Sequence, residues 1–222
     1  MAKTFCIGDV HGGYKALMQC LKRSKFRYRT DKLICLGDIC DGWPETSLCI
    51  EELLKIKNLV YTTGNHDIWL HNFFQSGLTP DIWTMQGGRA TMKSYLEHMD
   101  LLLKHRGFFV DKKPYHVEDN KLFIHGGYVH GVPIEEQSEE FLTWDRNLWI
   151  NRHNLDIKDF DEVYCGHTSI WRFSHKPIKY NRVWFMDTGG GYEGKLSMID
   201  VNSKEIFQSD IVNSLYIGFS HR

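Results

Sequence analysis

The 222-residue sequence contains no apolar run approaching the roughly 18 residues that a membrane-spanning helix requires. A membrane protein is therefore not expected. A basic excess is also missing, since 27 Lys and Arg face 28 Asp and Glu for a formal net charge of −1. That balance disfavours a protein that grips nucleic acid by displacing counterions, so no extended nucleic-acid surface is expected. Six cysteines are present, Cys6, Cys20, Cys35, Cys40, Cys49 and Cys165, and none forms a Cys-x-x-Cys pair. Several sit in apolar stretches such as Leu33-Ile34-Cys35-Leu36. Reduced, buried thiols are expected, rather than a disulfide framework or a cysteine zinc site. Internal repeats and low-complexity stretches are absent. The start, Met1-Ala2-Lys3-Thr4-Phe5, leads straight into a strand-like segment, so no signal peptide and a cytoplasmic location are expected. What remains is an ordinary globular composition, 42% hydrophobic and 25% charged, with an unusual 12 histidines. The length suits one sizeable domain, or two small ones at most.

Short apolar runs that end in Gly, Asp, Asn or His organise the chain. Thr4-Phe5-Cys6-Ile7 stops at Gly8-Asp9, Leu33-Ile34-Cys35-Leu36 at Gly37-Asp38, and Leu59-Val60-Tyr61-Thr62 shortly before Gly64-Asn65-His66. Leu122-Phe123-Ile124, Val163-Tyr164-Cys165 and Val183-Trp184-Phe185-Met186 stop at His125, Gly166-His167 and Asp187. Continuous rather than alternating apolarity predicts strands covered on both faces. Helical spacing falls between them, over 14–23, over 46–57 with Thr46 as N-cap, and over 91–104 with Met92, Tyr95, Leu96, Met99, Leu102 and Leu103 on one face. Alternating strands and helices predict an α/β domain. From Val183 onward little helix is expected, and a meandering sheet fits. Residues 68–120 are the least decodable and are read as a helical cap or insert, with Gln86-Gly87-Gly88 as a loop.

Polar residues at the carboxyl ends of such strands are where open α/β sheets build sites. The segments Gly8-Asp9-Val10-His11-Gly12, Gly37-Asp38-Ile39-Cys40-Asp41-Gly42, Gly64-Asn65-His66-Asp67, His125-Gly126-Gly127 and Gly166-His167-Thr168 each supply oxygen or imidazole donors there. One Gly-Asp alone is usually only a turn. Together, and in this order, the segments resemble the calcineurin-like metallophosphoesterase superfamily, most closely its phosphoprotein-phosphatase branch of bacterial and phage type. The tail from Asp187 to Leu196 and Trp144-Asp145-Arg146 resemble that branch too. The similarity runs from about Phe5 to Asp200.

This resemblance implies an αββα sandwich of two mixed β-sheets flanked by helices, forming one domain over residues 1–222. It implies a metal-dependent phosphoric ester hydrolase with a dinuclear centre of two divalent ions, manganese first, with iron or zinc as alternatives. Asp9 and His11 would hold the first ion, Asp38 would bridge, and Asn65, His125 and His167 would complete the second. Such a donor set suits those metals. Two dications with Asp9, Asp38 and one hydroxide leave about +1, attractive to a phosphate. The implied reaction is attack by a metal-bridging hydroxide on a phosphate monoester, with His66 as general acid oriented by Asp41. Turn or hydrogen-bonding roles are the competing readings for those two residues.

Arg146 is the candidate phosphate clamp, since a guanidinium fork matches phosphate oxygens. The competing reading is a surface arginine beside a core tryptophan. Asp187 is either a residue that orients a histidine ligand or a turn residue. The branch usually carries an arginine straight after the carboxylate matched by Asp41, but here the residue is Gly42. Arg89, Arg152 and Arg172 are candidates to replace it. Asp67 stands where eukaryotic members usually have Glu. His71, His98, His105, His116, His153, His175 and His221 are read as ordinary histidines, and His130 as a residue near enough to His125 to touch substrate. Trp69 and Trp83 are read as core, with a cleft-lining role as the alternative. The expected partner is a phosphorylated substrate, phosphoprotein or nucleotide, with no membrane and no stated oligomeric state. A serine/threonine protein phosphatase-like activity leads. A nucleotide or dinucleoside polyphosphate hydrolase follows, then a phosphatase of nucleic-acid ends. A non-catalytic metal-bound interaction module is the rival from another class.

Overall fold

A computed structural model describes residues 1–110 and 113–219. His221 lies outside the described residues, as do two residues within the 68–120 segment. Strands β1 (Thr4–Ile7), β2 (Lys32–Cys35) and β3 (Asn58–Tyr61) run parallel in one sheet. Phe5 lies opposite Leu33, and Leu33 opposite Leu59. In the second sheet β4 (Tyr115–Glu118) pairs antiparallel with β5 (Lys121–Ile124), which runs parallel to β6 (Glu162–Cys165). Beyond β6 come β8 (Val183–Phe185), parallel to it, and β7 (Ile178–Tyr180), antiparallel to β8. Strands β9 (Ser197–Asp200) and β10 (Ile206–Gln208) complete the first sheet in the order β10-β9-β1-β2-β3. Both sheets are mixed. The chain from Val183 is therefore not a single meander, because β8 joins one sheet and β9 the other.

Strand apolarity is continuous because each sheet has two covered faces. Phe5, Ile7, Leu33 and Cys35 point to an outer core under helices, while Cys6 and Ile34 meet Phe123, Tyr164 and Met186 between the sheets. Leu122, Ile124, Val163 and Phe185 face the other outer core. Burial of each such aliphatic or Phe side chain is worth about 1.5–3 kcal/mol. All six cysteines are buried and free.

The outer helices follow the predicted spacing in part. Helix α1 (Tyr14–Arg23) buries Ala16, Leu17, Cys20 and Leu21. Helix α2 (Thr46–Leu53) begins with Thr46 inside it and Glu45 at the N-cap, so Thr46 is no cap. It stops at Leu53 rather than 57, because residues 54–57 make the turn that brings Asn58 opposite Lys32. Helix α3 (Asn65–Ser76) starts directly at a predicted ligand, and α4 (Asp81–Trp83) runs into a kinked turn over Thr84–Gly88.

The expected single helix over 91–104 is two, α5 (Arg89–Glu97) and α6 (Met99–Arg106), broken at His98. A 3.6-residue pattern keeps one face only along an unbroken helix. The break leaves Leu96, Met99 and Leu103 exposed while Tyr95 stays buried. Helices α7 (Glu139–Trp144), α8 (Asn147–Ile150) and α9 (Val212–Leu215) complete the set, with Ser138 capping α7 through the Phe141 amide. Within 68–120, the helices lie on the first half of the molecule, but β4 is a strand of the second sheet rather than part of a cap. No helix among the described residues is long and apolar enough to cross a membrane.

Candidate metal centre

The carboxyl ends of the parallel strands of both sheets open onto one edge of the sandwich. Asp9 follows β1, Asp38 follows β2, Asn65 follows β3, His125 follows β5 and His167 follows β6. The loops there are bent hard. His11, Asp38, Asp41 and His167 all have positive φ, at 49°, 50°, 68° and 60°. Non-glycine residues hold that region only where their surroundings over-determine it, and such strain gathers at functional sites. Two glycines allow close approaches to the carboxylates. A Cβ on Gly64 would lie 2.1 Å from Asp38 Oδ1, and one on Gly166 would lie 2.3 Å from Asp9 Oδ1.

Asp67 ties two of these loops together. Its carboxylate accepts the amides of Asp38 (2.6 Å) and Ile39 (3.0 Å) and, within its own turn, Gly64 (2.9 Å). The turn after β2 is thereby locked to the start of α3. The amide of His66, in the first turn of α3, donates to Asp38 Oδ1 at 3.0 Å. In the sequence Asp67 stands out only by the family resemblance, as an Asp where eukaryotic members usually have Glu. Its bracing role depends on backbone amides that no motif records.

The predicted donors come together. Asp38 Oδ2 lies 3.7 Å from His11 Nε2 and 3.3 Å from His125 Nε2, between the two halves of the centre. Asn65 Oδ1 is 3.1 Å from His125 Nε2. Two groups of donor atoms, each within a 4.8 Å span, share Asp38: His11, Asp38 and His66, and Asp38, His125 and His167. Asp9 joins through its Oδ2, which accepts the His167 amide at 2.9 Å, while its Oδ1 is buried without a hydrogen-bond partner among the described residues. None of the six predicted donors is more than 8% exposed.

The imidazoles are aimed by the main chain. His11 Nδ1 lies 3.1 Å from the Cys40 carbonyl and 3.0 Å from that of Asp41, and His125 Nδ1 lies 2.7 Å from the Leu36 carbonyl. His167 Nε2 lies 3.0 Å from the Trp144 carbonyl. Asp187 is not one of these carbonyl partners; its Oδ1 accepts the Gly189 amide at 2.8 Å in the turn that follows β8.

The charges fit a cation. Burial pushes the Asp9 carboxyl well above its usual range, Asp187 adds to this and His125 opposes it. Burial also works against ionised Asp38, but the imidazoles of His125, His66 and His11 overcome it and hold that carboxyl well below the usual range. Burial would depress His125, yet Asp38 holds its proton up to about 9. His167, desolvated and beside His125, is pushed down to about 3, whereas His125 would have to release its proton to bind an ion. A carboxylate oxygen without a partner, a second carboxylate shared by two histidine groups and no thiolate make a donor set that suits divalent ions of the manganese, iron or zinc type.

His66 stands beside the donors rather than simply among them. Its Nδ1 is 2.8 Å from Asp41 Oδ2. Asp41 is fully buried, and its carboxylate also accepts Trp83 Nε1–H (2.7 Å) and the Thr91 hydroxyl (2.7 Å). Thr91 in turn accepts the Asp41 amide at 2.9 Å and meets the Thr46 hydroxyl at 3.1 Å. Trp83 is thus a core residue with a polar task, and Thr91 is a support that sequence reasoning missed. Both come from the 68–120 segment, and nothing in their spacing links them to residue 41.

Arg146 is exposed at the rim and donates through Nη1 to the His167 carbonyl at 3.1 Å. At Gly42, the amide donates to the Gly87 carbonyl at 3.3 Å, so backbone of the insert lies against the position where an arginine was expected. Arg152 stacks 4.2 Å over Trp149 and bonds its carbonyl, and Arg172 lies over Trp171. Arg89 is exposed at the start of α5. Among the other histidines, His105 is buried between Tyr95 Oη (2.9 Å) and Glu51 (2.8 Å), and His130 is exposed.

The profile of the calcineurin-like phosphoesterase family matches residues 2–190. Over 200 residues the chain is 24% identical to serine/threonine-protein phosphatase 1 of Salmonella typhimurium, covering 86% of this chain and 88% of that one. Over 164 residues it is 24% identical to the symmetrical bis(5'-nucleosyl)-tetraphosphatase of Dechloromonas aromatica, covering 66% of this chain and 55% of that one. A solved metallophosphoesterase from Sphaerobacter thermophilus superposes with a TM-score of 0.58 over 94% of this chain and 87% of that one, at 18% identity. At that identity the likeness concerns the fold, the same two-sheet sandwich.

Proposed function

The chain belongs to the calcineurin-like phosphoesterase family, and we propose that this phosphoric ester hydrolase is a two-metal phosphatase of phosphate monoesters, serine/threonine protein phosphatase-like, with His66 as general acid. Asp9, His11 and Asp38 would hold one divalent ion, and Asp38, Asn65, His125 and His167 the other, with manganese ahead of iron or zinc. When bound, such a pair neutralises phosphoryl oxygens and lowers the pKa of water. The chain's own groups do the rest. A water, having given up a proton, forms a new P–O bond as the P–O bond to the leaving oxygen breaks, and that leaving oxygen takes the proton of His66, giving an alcohol and inorganic phosphate. With Nδ1 engaged by Asp41, proton transfer falls to Nε2. The Asp41 carboxylate fixes the tautomer and stabilises the imidazolium form. Arg146, tethered beside His167, is suited to hold a phosphoryl oxygen. The same reading treats residues 1–222 as one domain whose helices within 68–120 cap the site, and it favours the cytoplasm.

The observation that carries this reading is the pair of donor groups sharing Asp38, with the His66–Asp41 pair at their edge. The backbone contact at Gly42, in place of an arginine, keeps a dinucleoside polyphosphate hydrolase as the second reading. The deciding experiment loads the protein with manganese, then treats it with EDTA. It compares p-nitrophenyl phosphate, its bis-ester, phosphopeptides and diadenosine tetraphosphate. Metal-dependent release of phosphate from the monoesters is expected. Turnover of diadenosine tetraphosphate alone would select the second reading, and binding of metal without any turnover would reject both.

A further inference from the structure

Beside the candidate general acid runs a row of aromatic rings that the reaction itself does not use. Trp69 lies three residues after His66 on α3, hence on the same helical face. Their ring centroids are 5.0 Å apart at 85°. Trp144, the last residue of α7, packs against Trp69 at 5.3 Å and 73°, and against His167 at 6.0 Å and 79°. The two indoles therefore close the gap between a residue of the first half of the chain and a metal-ligand candidate of the second.

Neither indole is fully buried, although Trp69 packs against the outer core of the first sheet. Trp43 and Trp83 are fully buried, whereas Trp69 is half-buried and Trp144 is 39% exposed. Holding His167 does not require the Trp144 side chain, because the bond to His167 Nε2 comes from the main-chain carbonyl. What the two indoles offer is an angled aromatic wall, its two rings 73° apart, whose Trp69 member adjoins the side chain that would protonate the leaving group.

We infer that Trp69 and Trp144 form a wall for the leaving group and give the site a preference for phosphate esters whose leaving oxygen is carried directly by an aromatic ring, as in a phosphotyrosyl side chain. The inference rests on the reading of His66 as general acid. A leaving oxygen that accepts a proton from His66 sits about 2.8–3.0 Å from the imidazole nitrogen. Only atoms within a few bonds of that oxygen can then reach rings that adjoin His66. A phosphoseryl side chain presents one methylene there. A phosphotyrosyl ring presents a whole face or edge, the geometry that aromatic pairs favour. The base of a nucleotide is separated from the leaving oxygen by its ribose and reaches farther out.

The test uses manganese-loaded full chain and two peptides of one sequence, phosphorylated on tyrosine or on serine, with AMP as a third substrate. The ratio of kcat/KM for the tyrosine peptide to that for the serine peptide is compared across variants, so intrinsic leaving-group reactivity cancels. Trp144→Ala and Trp69→Ala are expected to lower this ratio roughly tenfold, mainly through KM. Trp144→Phe and Trp69→Phe, which keep a ring and protect the fold, should retain most of it. Equal losses on both peptides would overturn the inference in favour of a purely structural role. A loss confined to AMP would overturn it in favour of a base-binding wall. Calorimetric binding of the tyrosine peptide is measured in parallel. Binding that weakens in the Trp→Ala variants, in a protein that hydrolyses neither peptide, would reject the proposed reaction yet support the wall.

Discussion

Strand β6 begins at Glu162 and ends at Cys165, just before Gly166-His167, and the buried carboxylates near its two ends are handled differently. At the first end, Glu162 accepts from Lys204, from Lys179 at 3.0 Å, from Tyr164 Oη at 2.9 Å and from Trp184 Nε1 at 3.2 Å. At the other end, among the described residues, Asp9 keeps one oxygen without a partner, and Asp38 is shared among histidines with no lysine or arginine bonded to it. The Glu162 carboxyl, opposed by burial but held by these donors, falls to about 2. The Asp9 carboxyl moves the opposite way, upward, because burial and Asp187 prevail. A carboxylate whose lone pairs are filled by the protein is a clip. One left short in a rigid frame is a site for something the chain does not itself supply.

The comparison breaks most sharply at Asp38. Asp38→Asn should lose both ions and depress turnover by more than about a hundredfold, a larger effect than loss of a supporting residue. Metal analysis beside a p-nitrophenyl phosphate assay checks this, and two ions retained with normal turnover would remove the bridging role. Next is His66→Asn, which should keep the metal content while cutting turnover of an alkyl phosphate by about 10²–10⁴-fold. The loss should shrink for a leaving group that needs no proton.

Trp83→Phe removes one of three donors from Asp41 and should lower turnover about tenfold or somewhat more, with metal content unchanged. If turnover does not move, the cap has no part in orienting the acid. The smallest effect on activity, none, belongs to Glu162→Gln. There the loss is in stability, roughly 1–3 kcal/mol at pH 7. Glu162 titrates lower in the folded chain than its ordinary value of 4.5. Its contribution is thus present above about pH 4.5 and disappears as pH falls towards 2. Urea denaturation at stepped pH should show a flatter acid limb in the variant.

Legibility in the sequence follows from the range of the interactions involved. Strand ends were readable because each run of apolar residues stops where a polar turn begins, within a few positions, and Leu33 to Asp38 is such a case. The polar residues at the strand ends were readable as candidate donors because each motif carries them within a few positions. The break at His98 was not, since Leu96, Met99 and Leu103 match a helical stripe whose continuity is decided by packing against α2 and α3. Nor were Thr91 and Trp83 readable as partners of Asp41, because a hydrogen bond across 50 or 42 residues leaves no periodic trace.

By itself the sequence determined which residue types stand at the strand ends, and with them the class of chemistry, since carboxylate, amide and imidazole at glycine turns are covalent facts. Only the tertiary structure decided that Asp38 sits between two histidine groups, that Asp41 is held by Trp83 and Thr91 and that Trp69 and Trp144 lie in a row beside His66. Those outcomes depend on how two sheets face each other and on where the insert settles, and such long-range packing is a property of the whole chain rather than of any segment.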